Sequence, residues 1–134
     1  MGYRSEVAIS LYKRDFEILM YKIKNKIDGF EELKDLMNYA DSTKETLDNI
    51  IVIKWNWVKW YNEYTDIQKL EEYLNQEDEE GNILVPYCFT RIGEEREDIE
   101  VIHHIDDDDW DLDCIEPITY IDSPDGNEFD LDLD

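Results

Sequence analysis

Polar and apolar residues alternate from Tyr3 to Leu11, with Val7, Ile9 and Leu11 on one side and Glu6, Ala8 and Ser10 on the other. A period of two predicts a first strand. The rhythm changes at Lys13. Phe16, Leu19, Met20, Ile23 and Ile27 recur at spacings of three and four. That predicts an amphipathic helix with a lysine-rich outer face, ended near Asp28-Gly29. Phe30 to Tyr39, carrying Leu33, Leu36 and Met37, continues as a second helix or a helical turn.

Asn49 to Tyr61 is rich in β-branched and aromatic residues. Ile51, Ile53, Trp55 and Trp57 share one face; Val52, Lys54, Asn56 and Val58 share the other. The pattern predicts a long central strand, bulged near the tryptophans. Trp55, Trp57 and Trp60 read as core aromatics, because large rings on a central strand are core material. Asp66 is expected to cap a helix running to about Gln76, with Ile67, Leu70, Tyr73 and Leu74 as its apolar stripe. Two further strands, Ile83 to Ile92 and Ile99 to Ile105, are joined by a turn over residues 93–98. Pro86 predicts that the first of them begins at a sheet edge. His103 shares a side with Ile99, Val101 and Ile105 and reads as a core or edge histidine. His104 points the other way, so the two cannot easily hold one metal.

The order is strand, helices, strand, helix, hairpin. It predicts an α+β fold: a largely antiparallel four-stranded sheet with helices on one face. Residues 1–105 make that domain. The remaining 29, residues 106–134, form an acidic C-terminal segment, expected to be partly docked or disordered.

Charge changes the picture at this point. The 134 residues hold 36 Asp/Glu against 13 Lys/Arg, a net charge of −23. Hydrophobic residues at 42% and aromatics at 13% nevertheless allow a core, so the chain is not a disordered acidic polymer throughout. The acid is local. Residues 1–75 carry 14 acids and 11 bases; residues 76–134 carry 22 acids and 2 bases, Arg91 and Arg96. Self-repulsion on that scale opposes folding, which points to a use for the field. Nucleic acid and anionic membranes are polyanions and are excluded as direct partners. A cationic protein surface is the expected partner.

The acids fall in rows. On an extended strand, Asp107, Asp109, Asp111 and Asp113 would lie roughly 6.6 Å apart on one side. Asp130, Asp132 and Asp134 would make a second row. Duplex DNA spaces its phosphates by about 3.4 Å per strand, so two rows approach its charge density. Arginine grips carboxylate and phosphate in the same forked geometry. The candidate partner-binding residues are therefore Asp106, Asp107, Asp108, Asp109, Asp111, Asp113, Glu116, Asp130, Asp132 and Asp134, helped by Glu77, Asp78, Glu79 and Glu80. Trp110, inside the acidic run, is either an anchor for a partner's pocket or a pin onto its own sheet. The competing reading of the segment is a solvated tail that only aids solubility.

Other chemistry is weakly supported. Neither Asp106–Asp109 nor Asp122–Glu128 fits a calcium-loop pattern, so no metal and no cofactor is expected. No motif with a catalytic mechanism is present, and the protein is not expected to be an enzyme. Cys88 and Cys114 read as free thiols. No secretory or membrane-spanning pattern is seen, and the expected setting is the cytoplasm of a bacterial host.

Three stretches carry a resemblance. Met1-Gly2-Tyr3-Arg4-Ser5, then Trp57-Val58-Lys59-Trp60-Tyr61, then Arg91-Ile92-Gly93-Glu94 followed by Asp98-Ile99-Glu100 occur in the order seen in a family of small phage and prophage proteins, which the chain resembles over roughly residues 1–105. The resemblance implies a mobile-element origin and brings no catalytic residues. By size and charge the chain is also similar to anti-CRISPR and anti-restriction inhibitors that imitate DNA. The resulting expectation is a counter-defence inhibitor that binds a basic nucleic-acid-binding host protein. The alternatives are an acidic phage adaptor or assembly protein without mimicry, and a divalent-metal-binding protein. A monomer or a homodimer, paired through Lys13, Lys22, Lys24 and Lys26, is expected.

Overall fold

The alternation at the start of the chain becomes the middle of a sheet. A computed structural model describes residues 2–46, 49–95, 97–106, 127, 128, 131 and 133, with only the backbone at 127 and 128. Strand β1, Ser5–Tyr12, runs between β3, Ile50–Val58, and β4, Tyr87–Ile92, antiparallel to both. Strand β2, Ser42–Glu45, flanks β3, and β5, Ile99–His104, flanks β4. The two-residue β6, Asn127–Glu128, pairs with β2. The order is β5-β4-β1-β3-β2-β6.

The fold is therefore α+β with an antiparallel sheet, as the pattern predicts, but with five strands and a short sixth in place of four. The missed strand, β2, reads Ser-Thr-Lys-Glu and has no apolar alternation; it forms because β3 offers an open row of backbone partners. The expectation that Pro86 marks a sheet edge fails too. Pro86 sits just before β4, and β4 is an interior strand because β5 covers its far side.

Helix α1, Lys13–Lys24, stops earlier than Gly29. Lys26 at φ 55° and Asp28 at φ 50° are left-handed, and the Asn25 side chain donates to Tyr21 O at 2.9 Å. These bonds close the last turn. A 3-10 helix, Ile27–Leu33, then leads into α2, Lys34–Asn38. Helix α3 is Thr65–Leu74. Its cap position is Tyr64, without a side-chain cap bond; Asp66, expected as the cap, lies inside the first turn and accepts from Ile67 N at 2.7 Å. The predicted stripe of Ile67, Leu70, Tyr73 and Leu74 is buried.

The helices share one cluster with Val7, Ile9, Leu11, Ile51, Ile53, Trp55, Tyr87 and Phe89, which is one face of the sheet. Leu131 and Leu133 also lie against it. The other face holds a smaller cluster of Ile50, Val52 and Cys88, and no helical residue joins it. Two internal hydrogen bonds fix the helices: Trp55 Nε1 to Leu36 O at 2.9 Å ties α2 to the sheet, and Tyr73 Oη to Asp15 O at 2.5 Å ties α3 to α1.

The expected bulge near the tryptophans is present. Ser5 faces Val58 and Val7 faces Trp55, so two steps on β1 oppose three on β3. The extra residue breaks the alternation. Trp55 is 1% exposed, but Trp57, expected as core, is 57% exposed. Trp60 does reach the core, with its ring 5.3 Å from Trp55 and 5.8 Å from Phe89.

Candidate functional site

Most of the predicted acidic rows cannot be placed. Asp107, Asp108, Asp109, Trp110, Asp111, Asp113, Glu116, Asp130, Asp132 and Asp134 lie outside the described residues, as do Cys114 and Arg96. Asp106 is described and exposed at the end of β5.

Glu77, Asp78, Glu79 and Glu80 stand in an exposed turn closed by a Glu77–Ile83 bridge. Asp78 is exposed like its neighbours, but its carboxylate is engaged within the loop. Its carboxylate accepts from the backbone of Glu80 at 2.8 Å and of Asn82 at 2.9 Å, and from the Asn82 side chain at 3.0 Å. The Asn82 bonds foremost hold its carboxyl below the usual range. It staples the loop while Glu77, Glu79 and Glu80 extend the exposed acidic patch.

Residues from 3–5, 61 and 91–100 meet at one end of the sheet. Tyr3 N donates to Tyr61 Oη at 2.6 Å, and Tyr3 Oη donates to Asp98 Oδ2 at 2.6 Å. Arg91 grips both oxygens of Asp98, at 3.1 and 2.7 Å, and also reaches Ser5 Oγ and Glu100 Oε1. The Arg91 fork first, and Tyr3 second, hold the Asp98 carboxyl down at about 2. These residues clamp the β4–β5 turn to the N-terminus. Their geometry accounts for them as structure.

The register of β5 decides between the two readings of His103, in favour of the edge. Cys88 faces His103, while Tyr87 faces His104 and Phe89 faces Ile102. Tyr87 and Phe89 belong to the core cluster, so Glu100, Ile102 and His104 take the helix-covered side. Ile99 and Val101 are half-exposed and His103 is exposed on the opposite face, at the edge of the sheet. His103 Nδ1 lies 3.8 Å from the thiol of Cys88, which is buried. Among the described residues no three His, Cys, Asp or Glu side chains cluster to hold a metal, and no helix is long and apolar enough to cross a membrane.

Two clefts flank the helices. The first, of about 340 Å³, lies between α3 and strands β4 and β5. Trp60, Tyr87, Phe89 and Ile102 line it together with Glu71 and Glu100. Tyr87 Oη donates to Asn75 Oδ1 at 2.7 Å there. Burial foremost, and the charge of Glu100 after it, push the Glu71 carboxyl up. Sequence reasoning passed over this pair, although a signal existed. Glu71 stands four residues after Ile67 and three before Leu74, where the helical period calls for an apolar side chain.

The second cleft, of about 530 Å³, surrounds the β3 bulge. Exposed Trp57, Tyr39 and Tyr64 border it. Its charges are mixed: Asp35, Asp41 and Asp66 against Arg4 and Lys59. No protein-family model, no curated protein and no solved structure matches the chain.

Proposed function

We propose that this protein is a phage-derived counter-defence inhibitor that presents carboxylates to a basic nucleic-acid-binding protein, such as a CRISPR effector or a restriction enzyme, and occupies the channel made for nucleic acid. The observation that carries the reading is the lopsided charge: 22 acids against 2 bases beyond Asn75. The described part of that half supports it. Its one described base, Arg91, is already committed to Asp98 and Glu100. Glu77, Glu79, Glu80, Glu94, Glu95 and Glu97 are exposed, with no described Lys or Arg in an ion pair to any of them. A field of one sign accelerates encounter with a cationic surface and weakens with salt.

Competition tests the mechanism. Duplex DNA or guide RNA should displace the protein from its target. Simultaneous binding of both would leave the adaptor reading, in which the acid docks on a basic partner without mimicry. Replacing Asp106, Asp107, Asp108 and Asp109 together by Asn should abolish inhibition in a folded protein, as circular dichroism and an activity assay would report. Full potency in that variant would move the active surface elsewhere.

A further inference from the structure

The cleft between α3 and β4–β5 differs from its surroundings in the sign and number of its charges. Among the described residues, Glu71 and Glu100 are its only charged lining residues. The Glu71 carboxylate has no hydrogen-bond or ion-pair partner among the described residues, whereas Glu100 places one oxygen 3.2 Å from Arg91 Nε. Two like charges share a partly desolvated concavity floored by aromatic rings. That arrangement raises the energy of the empty cleft, and a cation between the carboxylates would relieve it.

We propose that the cleft takes the guanidinium of an arginine carried by the basic partner, an inference that rests on the partner being cationic as argued above. The choice of arginine follows from the lining. A guanidinium is planar, forks onto carboxylates and stacks on aromatic faces, and it is less strongly hydrated than an ammonium. Trp60, Tyr87 and Phe89 supply rings, and Glu71 and Glu100 supply acceptors. A phosphate is repelled. A calcium-like cation wants six or more oxygens, and two carboxylates among apolar rings do not supply them.

The probe is N-acetyl-arginine methylamide, titrated into the whole chain while the Trp60 indole N–H is followed by NMR. A saturable shift of that resonance is expected, stronger than with the lysine analogue. Glu71→Gln should weaken it by about tenfold, the lower end of the value of one hydrogen bond to a charged group. Glu71 is harder to ionise in the fold than in the unfolded chain, so its charge at neutral pH opposes folding. The E71Q thermal midpoint should therefore not fall. Glu72→Gln makes the same change of net charge outside the cleft, on an exposed residue paired to Lys69. It should leave arginine binding unchanged.

An unmoved Trp60 resonance, or equal losses in E71Q and E72Q, would overturn the inference. An oligoarginine peptide separates the two levels of argument. If it binds the chain with undiminished affinity in E71Q, the cleft is not its arginine site and the acidic-surface reading stands. If the small amide titrates the cleft while the peptide fails to bind the whole chain, the acidic-surface reading falls instead.

Discussion

The two clefts have similar walls and different balances of charge. Behind the first stands Trp60, and behind the second stands Trp55; both are floored by the core. In the second, Arg4 and Lys59 offset most of the charge of Asp35, Asp41 and Asp66. In the first, no described residue lining it offsets Glu71 and Glu100. Aromatic rings in a concavity are common to many surfaces. What distinguishes a receptor for a cation is a charge that the fold itself leaves unanswered, because burying it without a partner costs stability.

The largest expected effect separates wall from rim in the second cleft. Trp55→Ala should lower stability by about 3–5 kcal/mol, since it empties a fully buried ring site and orphans Leu36 O. Trp57→Ala, two residues on, should cost under about 1 kcal/mol, because its ring already faces solvent. Urea denaturation of the two variants gives the comparison. Equal losses would mean that the bulge does not turn Trp57 out in solution.

The next test acts on the support of the first cleft. Arg91 holds Glu100 and is itself held by Asp98, whose folded pKa of about 2 lies below the usual aspartate value. For a depressed carboxyl the stabilising contribution is present above the unfolded pKa and is lost as pH falls through the folded one. The clamp should therefore loosen between about pH 4 and pH 2. Hydrogen exchange in the β4–β5 hairpin should accelerate over that window, and Asp98→Asn should show the fast exchange already at neutral pH. An Asp98 carboxyl carbon that titrates near 4 in NMR would contradict the fork.

The smallest effect converts one cleft toward the other. Lys59→Gln makes the second cleft more acidic, and its weak affinity for the arginine amide should rise by no more than about fivefold, the value of one exposed charge. A larger gain than at the first cleft would show that charge balance alone, without the aromatic floor of Trp60 and Tyr87, makes the receptor.

Several elements were legible in advance because one periodicity dominated them. The strand Ser5–Tyr12, the first helix, the stripe of α3 and the β4–β5 hairpin each show a single period over six residues or more. Others were not. Ser42–Glu45 is polar and joins the sheet through backbone bonds that no side chain announces. On β5, Ile99 and Val101 are the more apolar set, yet they face outward, because pairing with Tyr87 and Phe89 decides which side meets the core. Of the candidate binding residues, the loop at 77–80 was legible as exposed acid. The cleft was not, since it joins a helical glutamate to one on a strand far along the chain.

The amino-acid order by itself determined where the charge resides and which segments carry a helical or a strand period, since both are sums over neighbouring residues. Tertiary structure decided three other things: the exposure of Trp57, through one extra residue opposite β1; the side of β5 that is inner, through register; and the meeting of Glu71 with Glu100. Each depends on which strands and helices come to lie side by side, and contacts between distant segments leave no local period to read.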